Sequence, residues 1–86
     1  MDCAHIMAIL LKHRTEGAVQ VQEVLTKFGC HIKVRLGLHE GAFNACSEQG
    51  LILLQLCGTC EELKAFQAEL NEIPEVKAEM MRIAYD

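Results

Sequence analysis

The 86-residue sequence predicts an α+β domain, a four-stranded antiparallel sheet of order 4-1-3-2 with both helices on one face. Three observations predict it. Residues 4–12 and 50–57 are nearly continuous apolar runs, the pattern of central strands covered on both faces. Residues 30–39 and 76–80 alternate apolar with polar side chains, as outer strands do. Between these runs lie two segments with apolar residues at helical spacing, so the order is βαββαβ.

Each element has its own signal. Ala4 to Leu11 forms the first strand and ends in charge at Lys12. His13-Arg14-Thr15-Glu16-Gly17 is a polar break, with Thr15 the expected N-cap of the helix that follows. Ala18, Val21, Val24, Leu25 and Phe28 give that helix one apolar face, and Gly29 stands where a glycine commonly closes a helix. From Cys30 to His39, the residues Ile32, Val34, Leu36 and Leu38 are expected to face the core, with His31, Lys33, Arg35 and Gly37 opposite. Glu40 to Gln49 reads as a loop, and Gly50 to Cys57 as the second central strand. Thr59-Cys60-Glu61-Glu62 has the form of a capping box, a Thr N-cap with Glu three residues on. Leu63, Phe66 and Leu70 line the second helix, Pro74 prevents its continuation, and Val76, Ala78 and Met80 alternate in the last strand. Short connections and right-handed crossovers close this order into a ferredoxin-like sheet, with the two most apolar strands at its centre.

Composition narrows the function. The chain spans one domain, residues 1–86, and 51% of it is apolar although Trp is absent. A net charge of −4 with no basic cluster argues against direct contact with nucleic acid. The run Ile6 to Leu11 is too short for a signal or membrane segment, so a cytoplasmic protein without membrane contact is expected. Five cysteines do not form a secreted disulfide framework and are expected as free thiols or metal ligands. No phosphate loop, nucleotide fingerprint, Ser/His/Asp set or spaced carboxylate pair supports enzyme chemistry.

The topology gathers candidate ligands at both ends of the sheet. One end collects His13, Arg14, His39 and Cys46; imidazole and thiolate suit a divalent metal, though solvated loop residues are the plainer explanation. The other end collects Cys3, His5, Cys30, Cys57 and Cys60, where four thiols suit zinc or an iron–sulfur cluster and also suit simple packing. Cys57-Gly58-Thr59-Cys60 has the C-x-x-C form at a strand-to-helix junction, but Pro74 follows too closely for a thioredoxin-like site. Lys33 and Arg35 read as a solvated face or as ligands of an anionic effector.

The sheet face without helices must take one parity set from each central strand. The choices are Leu51, Leu53, Gln55 and Cys57 against Ile52, Leu54 and Leu56, and Met7, Ile9 and Leu11 against Ile6, Ala8 and Leu10. Every choice exposes large aliphatic groups, so a homo-oligomer, first of all a dimer, is expected.

An apolar strand followed by Arg14-Thr15-Glu16-Gly17-Ala18-Val19 and a helix ending at Gly29 resembles the opening of an ACT regulatory domain. That resemblance implies a small effector held at His13, Arg14, Thr15, Glu16 and Gly17, the glycine letting the backbone approach it beside a subunit interface. Thr15 and Glu16 replace the acidic residue and proline common there. Over nearly the whole chain, Ile6 to Arg14, Val24-Leu25, Ile32-Lys33-Val34-Arg35-Leu36-Gly37-Leu38 and Ile73-Pro74-Glu75-Val76-Lys77 look like the iron-only hydrogenase system regulators. These stand-alone domains are similar in fold to ACT domains and to the C-terminal domain of the nickel-responsive repressor. The resemblance implies a non-catalytic regulatory domain for a small effector or metal. The repressor's metal-binding strand carries two His; Arg35 and Gly37 stand on the corresponding strand, and only His39 and Cys46 match its pattern. Two alternatives remain from the residues themselves, a protein–protein interaction module without a small ligand and a Cys-based metal or redox protein.

Overall fold

The computed structural model describes residues 3–38 and 49–85, with residues 3, 14–16 and 38 as backbone alone. The elements follow as β1 (Cys3–Leu11), α1 (Arg14–Lys27), a 3-10 turn (Gly29–His31), β2 (Ile32–Leu38), β3 (Gly50–Leu56), α2 (Cys60–Asn71) and β4 (Val76–Ala84). The strands form one sheet in the order β2-β3-β1-β4, every neighbouring pair antiparallel. This is the 4-1-3-2 order expected, with the two most apolar strands at its centre.

Parity then builds the core. β1 buries Met7, Ile9 and Leu11, together with His5, and β3 buries Leu54 and Leu56 on the same side. Val21 and Leu25 of α1 and Leu63, Phe66 and Leu70 of α2 close over them. Phe28 stacks on Phe66 at a centroid distance of 4.7 Å, tying the end of α1 to the middle of α2. The start of α2 is a complete capping box. Glu62 N–H donates to Thr59 Oγ1 at 3.1 Å, and Thr59 N–H donates back to Glu62 Oε1 at 2.9 Å.

Three local expectations change. The N-cap of α1 is His13 rather than Thr15, and it makes no side-chain cap bond, so this helix begins without the usual hydroxyl acceptor. Gly29 follows the C-cap Phe28 but opens a 3-10 turn, and Gly58 is the positive-φ glycine among the described residues. The third change inverts a strand. β2 pairs Ile32 with Leu56 but Val34 with Gln55, so Lys33 is an extra residue with no partner of its own. Such a bulge reverses the facing of everything beyond it. Val34 and Leu36, expected in the core, therefore lie opposite Gln55 and Leu53 on the face without helices. Arg35, expected away from the core, is on the helix side, donating from Nη1 to Gln22 Oε1 of α1 at 3.2 Å.

The two edges of the sheet differ. Along β4, the side-chain amide of Asn71 at the end of α2 imitates a strand. Its Oδ1 accepts from Ala78 N–H at 2.8 Å, its Nδ2 donates to Ala78 O at 3.1 Å, and Gln67 Nε2 donates to the same oxygen at 3.0 Å. Val76 N–H is also occupied, donating to Ile73 O.

Candidate functional site

The end of the sheet at the β1–α1 turn forms a small cleft. β1 ends at Leu11, and Lys12 N–H donates to the carbonyl of Glu75 at 2.9 Å, which clamps the turn against the lead-in to β4. α1 then begins from His13, whose carbonyl accepts from Gly17 N–H at 2.9 Å. His13, Gly17, Gln20, Pro74, Glu75 and Val76 enclose about 170 Å³, below the usual range for cofactors and suited only to a small molecule. The cleft has an apolar floor at Val76 and offers an imidazole, an amide and a carboxylate at its mouth, so it can both donate and accept hydrogen bonds.

Two backbone features mark this cleft. Glu75 has φ +64°, the left-handed region that non-glycine residues adopt at a cost of about 1 kcal/mol or more. Its carboxylate reaches Lys12 Nζ at 3.9 Å and His13 Nε2 at 4.0 Å, and both contacts are long and solvent-exposed, so they offset little of that strain. Gly17 is buried inside α1, where glycine lowers helix stability by about 1 kcal/mol relative to alanine. A methyl group there would meet only Leu11 Cδ2 and Val76 Cγ2, both at an ordinary 3.5 Å. Packing therefore does not require the glycine.

Arg14, Thr15 and Glu16 form the first turn of α1 between His13 and Gly17, where the sequence predicts a polar break before the helix. His39 and Cys46, the proposed metal ligands of the same end, lie outside the described residues. Sequence reasoning missed Gln20, Pro74 and Glu75. Pro74 was visible as a helix breaker, but nothing in the sequence marks the left-handed backbone at Glu75.

At the opposite end, His31 and Cys57 bond across the mouth of β2 and β3. Cys57 N–H donates to His31 O at 2.8 Å, and His31 Nδ1 lies 3.1 Å from Cys57 O. The carbonyl can only accept, so Nδ1 carries the hydrogen and Nε2 faces Glu62 Oε2 at 3.8 Å. The hydrogen bonds from the Thr59 backbone and hydroxyl hold the Glu62 carboxyl below its ordinary range, and His31 adds a smaller contribution in the same direction. Gly58, at φ +148°, has a strict requirement: a Cβ there would stand 2.7 Å from His31 Nδ1. Of the thiols, Cys30 and Cys60 are exposed and Cys57 is half-buried. Among the described residues, no three His, Cys, Asp or Glu side chains are placed to hold a metal ion, and the side chain of Cys3 is outside them. No helix among those residues is long and apolar enough to cross a membrane.

No protein-family model and no curated protein sequence matches the chain. Solved structures do. An uncharacterized protein from Thermotoga maritima superposes with a TM-score of 0.82 at 22% identity, covering 93% of this chain and 95% of the other. The ACT domain from GTP pyrophosphokinase of Chlorobium tepidum gives 0.69 at 15% identity, covering 94% and 100%. The regulatory subunit of aspartate kinase from Thermus thermophilus, in its ligand-free form, gives 0.57 at 20% identity, covering 93% of this chain and 50% of that one. At these identities the likeness speaks to architecture, and on that ground the chain has an ACT-like, ferredoxin-like fold.

Proposed function

We propose that this chain is a non-catalytic regulatory domain that binds a small effector in the cleft at His13–Gly17 and Glu75 and works as a homodimer. Gly17 is the observation that carries the effector. A helix-interior glycine that packing does not require, facing a cleft lined by a strained Glu75, is a stability loss that a ligand-binding role explains. The ACT domain and the regulatory subunit that share this fold support the regulatory reading. A link to an iron-only hydrogenase system is supported by the sequence resemblance alone. Thermal-shift screening with amino acids, nucleotides and divalent metals tests the proposal. A compound that raises the midpoint of the wild type, and does so much less for Gly17→Val, supports it. No stabilising compound, together with a co-purifying partner protein, favours an interaction module instead. Metal analysis of protein purified without oxygen tests the cysteine end separately.

A further inference from the structure

The face of the sheet turned away from the helices is uncharged on its two central strands, and the bulge at Lys33 enlarges its apolar part. Without that extra residue, Val34 and Leu36 would point toward the helices; with it they join Leu10, Met81 and Ile83, and these five side chains remain 43–55% exposed. The charges on this face lie on the edge strands, Lys77 and Glu79 on β4 and Lys33 at the bulge that opens β2. An uncharged centre with charge at the rim is the anatomy of an interface. We infer that this face is where two copies of the chain meet, sheet against sheet. The inference rests on the homodimer proposed above and assigns its surface.

Area and charge favour a second copy as the occupant. Four strands spaced about 4.8 Å apart, and seven to nine residues long, present roughly 19 by 25 Å, or about 480 Å² in projection. Side chains standing on that plane give more accessible surface than its projection, which approaches the roughly 800 Å² per partner of a stable association. The projected area, charged rim included, lies within the roughly 300–600 Å² of the largest apolar patch on a typical monomer, a size that is often functional. A two-fold mate brings the same surface to itself. With no charge on β1 or β3 of this face, and both signs on its edge strands, self-pairing sets no like charges against each other at the centre, whereas a patch carrying one sign would require a different partner. The lateral alternative at β4 is restricted by Asn71, which occupies the backbone of Ala78.

Sedimentation velocity on the ligand-free full chain at micromolar concentration tests this. The wild type is expected at twice 9.6 kDa. Leu36→Asp and Met81→Glu, on the two edge strands of this same face, are expected to weaken the dimer roughly a hundredfold or more, because each buries an unpaired charge. Both positions are half-exposed in the single chain, so circular dichroism should show the folded spectrum in each variant. Val19→Asp, on the outer surface of α1, is the control and should leave the dimer unchanged. A wild type that is a soluble monomer overturns the homodimer itself. A wild-type dimer that survives both face variants and dissociates with Val19→Asp keeps the homodimer and overturns the face. If one face variant misfolds, the other decides.

Discussion

Replacing Gly17 with alanine should make this protein more stable and a poorer binder. The helix gains about 0.8–1.0 kcal/mol from propensity alone. The added methyl lands 3.5 Å from Leu11 Cδ2 and Val76 Cγ2, a buried apolar contact worth up to about 0.8 kcal/mol more. A net gain of about 1–1.5 kcal/mol follows, which in a domain of this size raises Tm by about 5–10 °C. Urea unfolding followed by circular dichroism measures the gain, and the ligand screen repeated on the variant measures the loss. Gly58→Ala is the internal contrast. Its φ of +148° and the 2.7 Å approach to His31 Nδ1 should destabilise the domain by more than about 2 kcal/mol. If Gly17→Ala instead lowers Tm, the glycine is a packing requirement after all, and the strongest argument for a ligand at this cleft falls with it.

Other outcomes are as specific. Asn71→Ala strips the partner from the part-buried N–H of Ala78 and should cost about 1–3 kcal/mol in urea unfolding, with the far-UV spectrum kept. Glu75→Gly relieves the left-handed strain and should stabilise by about 0.5–1 kcal/mol, the loss of its long ion pairs being negligible. Phe66→Ala removes a fully buried ring stacked on Phe28 and should cost about 3–5 kcal/mol, enough to unfold much of the protein. Because the Glu62 carboxyl is held below its ordinary value, its contribution is complete above about pH 4.3 and is lost as pH falls through the lower folded value. Glu62→Gln, which still accepts from Thr59 but cannot titrate, should flatten that acid limb in a plot of Tm against pH.

The sequence was most informative where the signal is periodic or local. The two apolar runs became the central strands, Leu63, Phe66 and Leu70 became the buried stripe of α2, and Thr59 with Glu62 closed its capping box. Strand β2 shows why alternation alone misleads. Its pattern is regular, but one unpaired residue at Lys33 reverses every later side chain, and a bulge is decided by pairing with β3 rather than by residue type. The candidate cleft was half legible. Gly17 stood out through its place in a turn-like segment, whereas Glu75 joins the cleft only because Lys12 bonds to its carbonyl across the sheet end. Gly17 and Gly58 look equally dispensable as letters; only the backbone angle and the neighbouring imidazole separate the optional glycine from the obligatory one.

The amide of Asn71 bears on how far such molecules can propagate. A sheet that grows without limit needs two receptive edges, one to add to and one to be added from. Here the first part of β4 is already engaged, Val76 by Ile73 of the preceding turn and Ala78 by Asn71 and Gln67 of α2. Among the described residues, β2 keeps its outer edge and β4 only the part beyond Ala78, so an added strand meets a shortened partner on the β4 side. Edge-to-edge growth therefore has less backbone to bond on the β4 side, which disfavours running on into a fibril, and Asn71→Ala would restore part of that edge.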